Sequence, residues 1–164
     1  MAGPPPERAL LTDDQIGAWR ALVAAHARIS VLLEARLEAE HQLPLVEYEV
    51  LVQLLDAPDR RLRMTELADR VLLSRSGLTR LIDRMERERL VLRAVCAEDG
   101  RGTYAVLTEV GTARLREASG VYFRGLREHL VDALPPGDVA DLARILSRLA
   151  VALKDDDAHA SVAG

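Results

Sequence analysis

Apolar residues recur at spacings of three and four along the first stretch of the chain: Ile16, Trp19, Leu22, Val23, Ile29, Leu33 and Leu37, with His26 in phase. That period marks one face of a helix. Thr12-Asp13-Asp14-Gln15 precedes it with a capping-box pattern and sets two acids at the positive end of the helix dipole. Running to about Glu40, the helix would be roughly 40 Å long at ~1.5 Å per residue. A core of this size does not need so long a helix, so part of its apolar face is expected to meet a partner subunit.

His41-Gln-Leu-Pro44 breaks the pattern, and a second helix is expected over about Leu45 to Leu55. A turn at Asp56-Ala-Pro-Asp-Arg leads to a short extended stretch, Leu62-Arg63-Met64. A third helix should begin at Thr65, with Leu67, Ala68 and Val71 inward. After the turn at Leu72-Leu73, Ser74 is the N-cap candidate of a fourth helix. Beyond Leu90 the period shortens. Val91 to Cys96 and Thr103 to Leu107 read as two strands joined by Ala97-Glu-Asp-Gly-Arg-Gly102, a hairpin. Thr108 should cap a fifth helix reaching about Leu130, and Pro136 should open a sixth after the Leu134-Pro135-Pro136-Gly137 break. The sixth helix carries Val139, Leu142, Ile145, Leu146, Leu149 and Leu153 on one face.

A tight helix pair followed by a hairpin is the winged helix-turn-helix order. The expected fold is therefore mainly α with a small β-hairpin wing, its winged helix-turn-helix core flanked by long dimerisation helices. The expected organisation is a disordered tail over 1–11, an N-terminal dimerisation helix within 12–44, the winged core over 45–107, C-terminal dimerisation helices over 108–154 and a second disordered tail over 155–164.

Composition narrows the class. The 164 residues include one Phe, one Trp and three Tyr, so Leu, Val, Ile and Ala must build the core, which favours helices. Arg or Glu interrupts each long apolar run, so no membrane span is expected. The Met1-Ala-Gly-Pro-Pro-Pro start has no apolar h-region, and a single cysteine, Cys96, cannot form an internal disulfide. A reducing cytoplasm is the expected location. The net charge of −4 conceals an uneven distribution. Arg60 to Arg101 holds 11 Arg against 7 Asp and Glu, net +4, which leaves −8 on the rest. A basic island in an acidic chain suits an anionic partner, although a salt-bridged surface helix would carry the same charges.

The fourth helix separates these readings. Between Ser74 and Glu88, Leu78, Leu81, Ile82 and Met85 share one stripe. The opposite face presents Ser76, Thr79, Arg80, Asp83 and Arg87, with Arg75 and Arg84 on its flanks. Ser74, Ser76, Gly77 and Thr79 are small enough for close approach to base edges, and Arg75 and Arg80 can read guanine or clamp phosphates. Arg84 and Arg87 lie further along, where phosphates are the expected targets. Asp83 is expected to pair with Arg87 or Arg80 on the same helix. In the hairpin loop, Asp99-Gly100-Arg101-Gly102 sets one arginine between glycines, suited to a minor groove, with Asp99 beside it.

Leu67-Ala-Asp-Arg-Val-Leu-Leu-Ser-Arg-Ser-Gly-Leu-Thr-Arg-Leu-Ile-Asp-Arg-Met-Glu86 resembles the helix-turn-helix of the MarR (multiple antibiotic resistance regulator) family. Glu88-Arg-Leu-Val91 and Asp99-Gly-Arg-Gly-Thr-Tyr-Ala-Val-Leu-Thr108-Glu-Val-Gly111 resemble its wing and the entry to its fifth helix. The resemblance implies a homodimer on a pseudo-palindromic operator in double-stranded DNA; the chain is expected to be a regulator, a repressor rather than an activator, released from its operator by a small-molecule ligand or a redox signal. It also implies DNA contacts at Ser74, Arg75, Ser76, Thr79 and Arg80, with Arg101 as the wing arginine and Asp99 its companion. The family often has a second arginine where Gly100 stands.

Other residues carry weaker chemistry. His26 is weighed as an effector contact against a hydrogen-bonded interface histidine, and Cys96 as a thiol sensor against a small strand residue. No metal, cofactor or catalytic constellation is expected: the four histidines are scattered, and neither a P-loop nor a dinucleotide fingerprint is present. The chain is thus not expected to be an enzyme. The alternative to a DNA reader is a winged-helix module whose basic face binds an acidic protein.

Overall fold

The computed structural model describes residues 11–95 and 102–162. Thr12 caps α1 (Asp13–His41) with the anticipated reciprocal box: its hydroxyl accepts from Gln15 N at 3.2 Å, and its own N–H donates to Gln15 Oε1 at 2.8 Å. Gln42, in the left-handed region at φ 49°, ends the helix. There follow α2 (Leu45–Leu55), a 3-10 turn at Pro58–Arg60, β1 (Arg61–Arg63), α3 (Met64–Arg70), α4 (Arg75–Arg87), β2 (Val91–Val95), β3 (Thr103–Leu107), α5 (Glu109–Leu126), a π turn at Arg127–Val131 and α6 (Asp138–Val162).

The extended stretch before α3 does more than connect. β1 pairs antiparallel with β3, so the sheet has three strands in the order β1-β3-β2. Leu62 stands opposite Ala105 in that register, and both are buried. The expected two-stranded wing is therefore rooted by a third strand, which ties the entry of α3 to the hairpin.

Both boundaries of the sixth helix differ from expectation. The sixth helix starts at Asp138 rather than Pro136, because Pro135 to Gly137 form a turn with Gly137 at φ 97°. It also continues to Val162, through most of the segment expected to be a disordered tail. Three alanines and the absence of Gly or Pro before Gly164 favour a helix there. The other expected tail, 1–11, lies almost wholly outside the described residues.

The chain divides into one unit ending at Gly125 and a second from Leu126 onward. In the first, α2 is the central helix, with Tyr48, Val50, Leu51 and Leu54 all buried. Leu67 and Ala68 of α3, Leu78, Ile82 and Met85 of α4, and Leu115 and Ala118 of α5 are also buried there. Gly111 lets α5 start tight against the end of the α4–β2 turn: a Cβ there would lie 2.1 Å from Leu90 O. The first half of α1 behaves differently. Leu33 and Leu37 are buried, but Trp19 is 66% exposed and Val23 45%. By length and composition α1 could also cross a membrane, but its second half is bound into the core by Leu33, Leu37 and the Glu34 contact to α2. In the second unit, no described side chain of α6 is buried; Ile145, Leu149 and Leu153 stand open.

Candidate nucleic-acid interface

The interface is organised by α4. Leu78, Leu81, Ile82 and Met85 are buried as the helical phase requires, which fixes the opposite face outward. Ser74 caps the helix, its hydroxyl accepting from Gly77 N at 3.1 Å and lying 3.3 Å from Ser76 Oγ. Gly77 is the small residue this cap needs, because a Cβ there would come within 3.1 Å of the Ser74 oxygen. Thr79 Oγ1 donates to Arg75 O at 2.8 Å, so its proton is committed while its lone pairs still face solvent. Ser74, Arg75, Ser76, Thr79 and Arg80 are all exposed on this one surface. Among the described residues, the Arg75 and Arg80 side chains have no partner, so both guanidinium groups have their full donor sets available.

The remaining arginines of the helix are tied down. Arg84 Nε donates to Glu47 Oε1 of α2 at 2.5 Å, and Glu47 is 2% exposed. Burial lifts the Glu47 carboxyl above the ordinary carboxylate range; the Arg84 hydrogen bond and charge pull it back part of the way. Arg84, anticipated as a phosphate contact, thus also has a structural duty: it neutralises a buried acid and fastens α4 to α2. Arg87 Nε donates to the Asp83 carbonyl at 3.2 Å. The Asp83 carboxylate pairs with neither Arg80 nor Arg87. It lies 2.7 Å from Arg93 on β2.

Arg93 is the residue that sequence reasoning missed. Its guanidinium meets Asp83, Glu86 Oε2 at 2.6 Å and Thr79 O at 3.2 Å, while its backbone N–H donates to Glu86 Oε1 at 3.0 Å. One side chain thereby locks the first wing strand onto the exposed edge of α4. The signal was present as Asp83 and Glu86, two acids on adjacent ridges of a basic helix, with an arginine in the following strand. β1 adds a second missed cluster. Arg61 and Arg63 lie over the Tyr104 ring at 5.1 and 5.6 Å from its centroid. A groove of about 500 Å³ runs between Thr79, the Arg63–Thr65 entry to α3, Arg93 and the Gly102–Thr103 base of the wing.

Asp99 and Arg101, the expected wing-tip contacts, and Cys96 lie outside the described residues. His26 is exposed on α1 and lines a separate cavity. Among the described residues, no group of three or more His, Cys, Asp or Glu side chains is placed to hold a metal ion.

This arrangement has close counterparts. A family model described as the MarR family matches residues 41–102. AbsC, a MarR family transcriptional regulator from Streptomyces coelicolor, is 35% identical and superposes with a TM-score of 0.77, over 88% of this chain and 97% of AbsC. The chain belongs to the MarR family. Sco3205, a MarR family regulator from the same organism solved in complex with DNA, is 34% identical with a TM-score of 0.77, over 87% of this chain and 93% of that one. The HTH-type transcriptional repressor YetL of Bacillus subtilis (strain 168) is 38% identical over 71 residues, 43% of this chain, and that match spans only 42% of YetL. As a MarR protein the chain is a transcriptional regulator and not an enzyme. The MarR-matched segment contains both the α4 face and the Arg93 clamp, the parts on which the site geometry depends.

Proposed function

We propose that this MarR protein is a cytoplasmic, homodimeric repressor that binds a pseudo-palindromic operator and releases it when a small molecule binds. The observation that carries the DNA-binding part is the outer face of α4: two uncommitted arginines, Arg75 and Arg80, among Ser74, Ser76 and Thr79, on a helix whose other face is fully buried. Small hydroxyl residues permit close approach to base edges, and the free forks of Arg75 and Arg80 supply bidentate donors. Arg101 would reach the flanking minor groove from the wing, with Asp99 beside it. Sco3205, similar over most of its length, was solved in complex with DNA, which supports DNA binding here. The uncovered apolar faces of α1 and α6 support the dimer. A dimer would set two α4 helices against half-sites about 34 Å apart.

The test is selection of bound duplexes from a random pool, followed by salt titration on the selected and a scrambled sequence. A steep inverse salt dependence and a specificity ratio of at least about 10³ are expected. Arg80→Ala should collapse that ratio while the protein still sediments as a dimer. If no sequence is enriched and an acidic protein competes equally with DNA, the basic face is a protein-docking surface instead.

A further inference from the structure

A second concavity lies away from the α4 face. It has a volume of about 1010 Å³, opens to solvent, and is bounded by α1, α2, the end of α3 with its following turn, and α5. Its size suits a drug-sized molecule. Its lining is aromatic and acidic. Tyr122 stacks on buried Tyr48 with ring centroids 4.4 Å apart, and Phe123 meets Tyr122 edge-on at 5.6 Å. Phe123 is 62% exposed, a large aromatic with no cover over it.

Charge decides what can enter. The wall carries two carboxylates, Glu34 on α1 and Glu49 on α2, beside His26 and Arg70. Glu34 Oε2 accepts from Leu45 N at 2.5 Å, which fixes that carboxylate at the start of α2. Glu49 sits at the mouth, where partial loss of water raises its pKa, His26 opposes that rise, and the Glu34 charge adds to it. The Arg70 guanidinium is already engaged by Glu66 at 2.7 Å. An anion entering here would meet two carboxylates and no uncommitted guanidinium. A cation would relieve the Glu34–Glu49 repulsion and could lie against the π-faces of Tyr122 and Phe123.

We propose that this cavity binds an organic cation with an apolar or aromatic body, held between the Glu34 and Glu49 carboxylates and the Tyr122–Phe123 rings. The proposal rests on the reading that the protein answers to a small molecule, and it names that molecule's class. The site also has a route to the DNA-binding surface. Leu72, in the turn between α3 and α4, lines the cavity, is 91% exposed and adopts φ 54°. Two residues later Ser74 caps α4, so an occupant touches the segment that sets where the recognition helix begins.

The test is calorimetric titration of the full-length protein, without DNA, using tetraphenylphosphonium and its isosteric anion tetraphenylborate. Saturable phosphonium binding, at least tenfold tighter than borate, is expected. Glu49→Gln and Glu34→Gln should each weaken the phosphonium at least tenfold; glutamine at 34 keeps an oxygen for Leu45 N, and if that variant fails to fold Glu49→Gln decides alone. Equal or tighter borate binding, no phosphonium binding, or phosphonium affinity within twofold of the parent in Glu49→Gln would each overturn the proposal. Operator binding by the parent protein without probe is scored separately. A protein that binds its operator but not the phosphonium refutes only this inference, and one that binds the phosphonium but no duplex refutes only the proposed DNA function.

Discussion

At the scale of single residues, arginines of similar appearance in the sequence do different work. Among the described residues Arg75 and Arg80 stand free, Arg84 neutralises buried Glu47, and Arg93 joins the wing to α4. These roles separate in a salt titration. A phosphate contact contributes about one unit to the slope of log affinity against log salt, whereas a positioning residue contributes none. Arg93→Gln should therefore lower operator affinity at every salt concentration with the slope unchanged, while Arg75→Ala should reduce the slope by about one. A reduced slope for Arg93→Gln would mean that Arg93 touches the DNA itself. Glu47 gives a pH signature. Its folded-state pKa is raised above the ordinary 4.5, so in the pH window between the two values the folded chain holds a proton that the unfolded chain has released. Stability from this group is greatest below 4.5 and is lost as pH rises through the folded value. Urea denaturation from pH 4.5 to 7 should show the parent losing stability relative to Glu47→Gln as pH rises; a parallel course would remove Glu47 as the cause. Of this partner choice the sequence carried only the Asp83–Glu86 pair on α4 with an arginine in the strand that follows. Helical phase shows which way an arginine leaves its own helix, but Glu47 lies 37 positions from Arg84, and Arg93 reaches α4 from a strand.

At the scale of elements, the sequence was far more informative, and for a physical reason. A helix burying one face announces itself by local period, so the Leu78–Met85 stripe, the Thr12 box and the Ser74 cap are all found where local chemistry places them. Strand pairing is not local. The Leu62 stretch reads as extended, but nothing nearby reveals that it pairs with β3 more than 40 positions away. Proline near Gly137 was a sound signal of a break but not of its length, since the turn takes both prolines and the glycine before α6 begins. One element junction depends on a missing side chain. At Gly111, a Cβ would sit 2.1 Å from the backbone oxygen of Leu90 and 2.8 Å from Leu107 Cδ1. Backbone cannot turn aside as a flexible side chain can, and Thr108 fixes the same junction by donating its hydroxyl to Arg89 O at 2.7 Å and Leu90 O at 3.0 Å. Gly111→Ala should thus destabilise the protein by about 3 kcal/mol, at the upper end for overpacking. A thermal midpoint unchanged from the parent would show that α5 can shift freely from the α4–β2 turn.

At the scale of the whole molecule, the described chain leaves more apolar helix uncovered than a monomer needs. Half of α1 and the apolar row of α6 lie open in separate units, each with large side chains at helical spacing: Trp19 and Val23 on one, Ile145, Leu149 and Leu153 on the other. A long helix that buries two of its 29 residues stays apolar elsewhere only if something covers it. The proposed occupant is a second copy, because a symmetric dimer pairs each uncovered face with a partner subunit and would supply the two recognition helices that a palindromic site requires. Every substitution in a two-fold interface counts twice, so single changes should act strongly. Trp19→Glu and Leu149→Glu should each weaken the dimer by about 2 kcal/mol or more, the scale of a central interface residue. Sedimentation at micromolar concentration should then show monomer where the parent shows dimer. Operator affinity should fall with it, since a monomer holds only one half-site. The α4 face is untouched by either change, so weak half-site binding with the parent's base preference should persist. If both variants sediment as dimers, these faces are covered by something other than a second copy; if they become monomers yet bind the full operator as tightly as the parent, dimerisation is not what brings two recognition helices to the DNA.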